Sequence, residues 1–156
     1  MRGESGELVF LRYAHSVIGY CNDDKVGVEE LEKFTEMLKT GRGKIDRGRL
    51  EQLFPDAVKH LKSWGSEDVR DYWLKGHNQV SDVEVNPLCK VYLRRVEDIH
   101  LDKGDGVSRI EVNGMGSATP RSYIPLDVGN LVSIHAFQVA ERLSQSLVEK
   151  YSSGLE

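Results

Sequence analysis

The chain has two cysteines, and one of them, Cys89, stands in "NPLCKVYLRRV" at the mouth of a run with strand chemistry. Two chemistries are open to it. A lone cysteine is a small hydrophobe that fills a core. At a strand entrance it is also a thiolate source, able to ligate a soft metal or attack an electrophile when a positive neighbour lowers its pKa. Lys90 is adjacent, but in a regular strand it points to the opposite face. His135, closing "VGNLVSIHAF", carries the same pair of readings: a core or boundary histidine, or a partner for Cys89. If the strands that carry them are neighbours in a closed barrel, both side chains meet at one rim. They would then form a soft-metal ligand pair or a thiolate–imidazolium nucleophile.

Three further residues draw attention. His77 and Asn78 in "KGHNQV" follow Gly76, where a helix C-terminal turn with Asn in the left-handed conformation is the bland expectation. Cys21 in "GYCNDD" has Asp23 and Asp24 beside it, a metal corner or an exposed helix end with solvated acids. His15, His60 and His100 lack comparable company. "DKGDG" at 102–106 misses the spacing of a calcium loop, and "GRGK" at 41–44 lacks the remainder of a phosphate loop.

The elements that must position these groups change character near residue 85. Before it the apolar residues recur at helical spacing. Leu8, Leu11, Tyr13, Ala14, Val17 and Ile18 make one stripe; Leu31, Phe34, Met37 and Leu38 make another that stops at Gly41. Leu50, Leu53, Phe54, Val58, Leu61 and Trp64 follow, divided by Pro55. "SEDVRDYWLKGHN" opens on Ser66 as N-cap and is expected to end at Gly76. After "NP" at 86–87 the pattern turns to short strands, "LCKVYLRRVEDIHL", "VSRIEVNG", "RSYIPL" and "NLVSIHAF", separated by Gly-rich turns. From Gln138 onward, Val139, Leu143, Leu147 and Tyr151 recur at fours, which predicts a C-terminal helix. The expected fold is α+β: a helical domain over 1–85, then a small OB-like β-barrel with a C-terminal helix over 86–156.

With 39% apolar and 29% charged residues the chain can build a core. Residues 1–85 carry 13 Lys and Arg against 16 Asp and Glu (−3), and residues 86–156 carry 8 against 9 (−1). Neither half has the basic excess that nucleic-acid binding wants. No apolar run approaches the roughly 20 residues of a membrane-spanning helix, and the N-terminus shows no signal-peptide pattern. Two cysteines without a framework pattern suit a reducing compartment, so a cytoplasmic location is expected.

The second half resembles the HypC/HupF family of hydrogenase-maturation chaperones over about residues 87–150. The resemblance rests on Cys89 at a strand opening, Val96 seven residues later, and "VGNLVSIHAF" with His135 and Ala136 in register with the family's terminal strand. It implies an OB-like barrel, a non-enzymatic role, and a protein partner (a maturation scaffold or the hydrogenase large subunit). It also implies an iron centre carried transiently, with Cys89 as thiolate ligand and His135 as its helper. No oligomeric state is implied. The whole chain is also similar to an uncharacterised prokaryotic family that sets a helical part ahead of this barrel, through "RYAHSVIGYC", "YWLKGHN" and "VSIHAF". The alternative is an interaction or scaffold module that keeps the barrel without metal chemistry. A cysteine-dependent enzyme would need a cleft, an oriented base and an oxyanion site, and the sequence carries no motif for one.

Overall fold

The computed structural model describes residues 5–18, 26–64, 68–80, 90–101, 107–115 and 119–151. Cys21, Ser66, Cys89, the "DKGDG" turn and the expected domain boundary at 85/86 lie outside these residues.

Helix α1 (Gly6–Ala14) starts at Ser5, whose hydroxyl accepts from the Leu8 N–H, and runs on into a 3₁₀ turn (His15–Val17). Residues 8–14 are all buried, so α1 is a central helix rather than the one-sided helix that its stripe suggests. Helix α2 (Val28–Thr40) ends where expected, at Gly41 in the left-handed conformation (φ 69°), whose N–H bonds the Met37 carbonyl. Phe34, Met37 and Leu38 face the core, but Leu31 is 39% exposed and lies off the buried stripe. Pro55 divides the next pair, α3 (Arg47–Leu53) and α4 (Pro55–Trp64), by opening the second helix where its missing N–H is harmless.

The following segment departs from the sequence expectation. After α5 (Val69–Asp71) the chain does not stop at Gly76. It widens into a π-helical stretch (Tyr72–Gly76), with the His77 N–H on the Tyr72 carbonyl, and continues as α6 (His77–Val80). Gly76 is there for space: a Cβ would lie 2.7 Å from the Trp64 ring. Asn78 is right-handed and helical, since the only non-glycine residues with positive φ among those described are Ala136 and Phe137.

Five strands close a barrel in the order β1-β2-β3-β5-β4, with β1 (Val91–Leu101), β2 (Ser108–Val112), β3 (Arg121–Ser122), β4 (Leu131–His135) and β5 (Gln138–Leu143). All neighbours are antiparallel except β3 and β5. The fold class is therefore α+β, helices then barrel, closed by α7 (Gln145–Tyr151). The C-terminal helix is shorter than its periodicity predicts because residues 138–143 are the fifth strand. Val139 and Leu143 are four apart, a helical spacing, but the irregularity at Ala140 breaks the strand alternation between them, so Val139 enters the barrel and Leu143 joins the cluster on its outside.

The barrel interior is filled by Val96, Ile110, Val112, Val132, Ile134 and Val139. A second, larger cluster runs through the helices and onto the outside of the barrel, where Val91, Ala140, Leu143 and Tyr151 join Phe10, Leu11, Leu50 and Trp73. At roughly 2 kcal/mol for each fully buried large aliphatic or aromatic side chain, this shared apolar face is what holds the helices against β4 and β5. No helix among the described residues is long and apolar enough to cross a membrane.

Candidate functional site

Strands β4 and β5 are joined by two residues, Ala136 and Phe137, both at positive φ (49° and 60°). A two-residue hairpin of this hand suits the strand twist but favours Asn-Gly, so Ala and Phe are strained here by about 1–3 kcal/mol each. The turn sets His135 opposite Gln138. A bulge between Ser133 and Ile134 leaves Ala140 without a partner and turns Glu141 outward to α1 while Val139 stays inside the barrel. The outer face of this hairpin thus carries Ser133, His135, Gln138 and Glu141, all buried beneath the helices.

Each of these groups meets a named partner. The Tyr13 hydroxyl donates to Glu141 Oε1 (2.7 Å), and Ser133 Oγ lies 2.9 Å from the same hydroxyl. Arg70 grips Glu141 through Nε and Nη2, the latter at 2.6 Å. Burial, reinforced by the Glu141 charge, holds the Tyr13 hydroxyl well above its ordinary pKa, so it acts as a donor. The bond to Glu141 raises the pKa of Arg70 further. Gln138 Oε1 accepts from Arg121 Nε (3.0 Å), which leaves its amide N–H to donate to His15 Nδ1 (3.1 Å). His15 is 3% exposed and its Nε2 has no hydrogen-bond partner among the described residues. Burial lowers its pKa to about 4; Gln138 opposes that shift and the Arg121 charge adds to it.

His135 sits at the centre. Its Nδ1–H donates to the Tyr13 carbonyl at 2.7 Å, with Ser16 Oγ at 3.4 Å, which places the ring lone pair on Nε2. Trp73 and His77 pack on the ring at centroid distances of 5.3 and 5.0 Å, and Tyr13 stacks on Trp73. His77 Nδ1 is 3.3 Å from the Tyr72 hydroxyl. The wider π turn brings Tyr72, Trp73 and His77 onto this one spot. Asn78 works differently. Its Nδ2 donates to the Val91 carbonyl (3.0 Å) and its Oδ1 accepts from the Val91 N–H (2.8 Å). The amide thereby substitutes for a neighbouring strand at the start of β1, whose pairing with β2 begins only at Val96.

The structure brings His135, His77 and Asn78 together at the junction between helices and barrel. Cys21 and Cys89 lie outside the described residues, but Val91, two positions after Cys89, pairs with His135 in the β1–β4 ladder. The neighbouring strands that the sequence reading required are therefore adjacent. His135 itself is 3% exposed, enclosed rather than open on a rim. Sequence reasoning missed Tyr13, His15, Ser16 and Glu141. Only their burial against strands some 120 residues away makes them a cluster, and no local spacing signals that.

It also missed His100. Among the described residues the one group of three or more side chains able to share a metal ion is Asp98, His100 and Glu111, all exposed. Asp98 and Glu111 are cross-strand partners, and His100 lies on the same face with Nε2 2.8 Å from Glu111. The bond to Glu111, then the Asp98 charge, raises the pKa of His100. An imidazolium between two carboxylates relieves their mutual repulsion and accounts for the grouping without an ion. The spacing of Asp98 and His100, two apart in a strand, was the available signal.

Searches against family models, curated proteins and solved structures return no match for this chain.

Proposed function

We propose that the chain is a non-enzymatic accessory protein of metallocentre assembly, of the [NiFe]-hydrogenase maturation kind, acting by binding a protein partner, with Cys89 and His135 as ligands for an iron centre in transit. The observation that supports this reading is the state of His135. A ligating imidazole takes its tautomer from a hydrogen bond on the far nitrogen, and Nδ1–H on the Tyr13 carbonyl supplies that bond. The β1–β4 register adds that the segment following Cys89 runs beside it. Thiolate and imidazole are donors that iron accepts, and the thiolate is the softer.

A second reading has its own observation. His135 lies beneath Tyr13, Trp73 and His77, and its bond to Tyr13 caps the last turn of α1. On this reading the histidine is a fastener, and the chain is an interaction or scaffold module without metal chemistry. Affinity capture from the native organism separates the two, comparing wild type with Cys89→Ala and His135→Gln and assaying iron in the captured complex. The first reading expects iron in the wild-type complex and its loss, together with the maturation partner, in both variants. Capture of the same partner by all three, with no iron in any, supports the scaffold.

A further inference from the structure

The outer face of β1 and β2 that carries Asp98, His100 and Glu111 is built by a bulge. Val96 pairs with Val112 and the next pair is Asp98 with Glu111, so Glu97 is the extra residue. In an unbroken ladder Asp98 would stand opposite Ile110, and strand alternation would turn both Asp98 and His100 toward the barrel interior that Ile110 fills. With the bulge, Ile99 pairs with Ile110 on the inner side, while Asp98, His100 and Glu111 stand together outside. Two carboxylates directly opposite one another in a ladder repel, so this face calls for a cation.

A proton on His100 supplies one in the ligand-free chain. The same three side chains also match the donor geometry of a metal ion. His100 Nε2 lies 2.8 Å from Glu111 Oε2 and 3.7 Å from Asp98 Oδ2, and the three donor atoms lie within 4.8 Å of one another. Bonds of about 2.0–2.2 Å to a tetrahedral ion set its donor atoms roughly 3.3–3.6 Å apart. The separations here bracket that edge, and exposed side chains reach it by small rotations. Asp98 Oδ1 accepts from the Ile99 N–H at 2.9 Å, an outer contact that holds the carboxylate with Oδ2 toward His100.

The donor set also selects the ion. One imidazole nitrogen with two carboxylate oxygens suits a first-row transition ion, whereas calcium wants six to eight oxygens. All three ligands rise from one sheet face, so the far side of the ion stays open to water, as in three-ligand zinc sites. Arg109, opposite His100 on the same face, opposes a cation there and limits the affinity.

We propose that Asp98, His100 and Glu111 bind one divalent transition-metal ion, zinc by the chemistry of the donors, with water completing its coordination. The site shares no residue with the His135 junction and does not rest on the function proposed above. It ties β1 to β2, so zinc stabilises the chain by mass action.

The test uses the full chain carrying Cys21→Ser and Cys89→Ser, which removes the two thiolates that would compete for zinc. After chelator treatment, zinc chloride is titrated at neutral pH by calorimetry, with thermal denaturation and histidine ring NMR alongside. One zinc per chain is expected, with a dissociation constant below about 100 μM, a higher Tm, and ring signals that move for His100 and not for His15. His100→Gln and Glu111→Gln, both at exposed positions, should leave the ligand-free fold intact and weaken binding at least about tenfold, the least that loss of even an outer-shell partner costs. Absence of saturable zinc binding overturns the proposal. So does zinc binding by His100→Gln equal to that of its parent, or displacement of zinc by magnesium at equal concentration, which would mark a diffuse carboxylate attraction instead of a site.

Discussion

Asn78 is the sharpest point at which to test the junction. Its amide meets both backbone groups of Val91, a residue with no exposed surface, on the side of β1 where no strand yet stands. Asn78→Ala leaves a buried N–H and a buried C=O without partners, each worth about 1–3 kcal/mol. The expected loss is therefore about 2–6 kcal/mol, or roughly 4–24 °C in Tm for a chain of this size. Asn78→Asp makes the test specific. One carboxylate oxygen still accepts from the Val91 N–H, but the other sets lone pairs against the Val91 carbonyl. Protonation restores a donor at that oxygen, so the acid form reproduces the amide's pattern. The repelled carboxylate has a raised pKa in the fold, so the deficit of Asn78→Asp relative to wild type should shrink as pH falls through that raised value toward the unfolded one of about 4 and level off below it, while that of Asn78→Ala stays constant. Urea denaturation midpoints for the three proteins between neutral and acid pH measure this, with amide exchange at Val91 as the local probe. A pH-independent Asp deficit, or an Ala variant within about 0.5 kcal/mol of wild type, refutes the strand-substitute reasoning.

Other consequences follow from the same junction. Burial depresses the His15 pKa to about 4 in the fold, against about 6.5 unfolded, so the unfolded chain binds the proton first as pH drops. Stability contributed by neutral His15 is fully present above pH 6.5 and is lost down to pH 4, to a total of up to about 3 kcal/mol. His15→Gln should remove that part of the slope in a pH series of denaturant midpoints, and an unchanged slope would show that His15 does not carry it. His100 acts in the opposite sense: its pKa is raised, so its contribution is present below its unfolded value and fades as pH rises through the folded one. In the β4–β5 turn, Ala136→Asn with Phe137→Gly relieves two strained positions and should raise stability by about 1–3 kcal/mol; a lower Tm would mean that the Phe137 side chain contributes more than its backbone loses. Glu141→Gln and Tyr13→Phe should each cost about 1–3 kcal/mol and combine non-additively, because both act through one hydrogen bond. Additive losses in that double-mutant cycle would place their effects elsewhere.

Much of the fold is written in local pattern, and the exceptions have physical causes. The α2 stripe and its Gly41 cap, the Pro55 break and the change from helices to strands in the second half of the chain are all decided by neighbours in sequence, which is where periodicity and capping act. The fifth strand was hidden because Val139 and Leu143 keep a helical spacing, while a bulge at Ala140 breaks the strand alternation that would have shown it. Gly76 reads as a helix stop until the Trp64 ring is found lying on it. Asn78 reads as a left-handed turn until its amide is found on Val91. In both cases a residue with a strong local meaning is held by a contact that no window around it contains.

The candidate site divides along the same line. That His135 ends a strand was legible from its short apolar run; that this strand lies beside β1 was only a condition of barrel closure, and it holds although the His135 strand is the fourth of five rather than the last. The burial of His135 was not legible, since Tyr13, Trp73 and His77 reach it from two helical segments distant in sequence. Residues of the three stretches "RYAHSVIGYC", "YWLKGHN" and "VSIHAF" meet in space: Tyr13 with Ser16, Trp73 with His77, and His135 converge at one point. A covering this complete would be excessive for a histidine that only capped α1, because the Ser16 hydroxyl already lies near the same carbonyl. The Nδ1–H bond to Tyr13 serves a cap and a ligand equally well, since it occupies one nitrogen and fixes the tautomer for the other. What separates the roles is the chemistry required at Nε2. His135→Gln keeps a donor within reach of Tyr13 while removing the imidazole, so the fold should tolerate it if the ring is needed only for its second nitrogen.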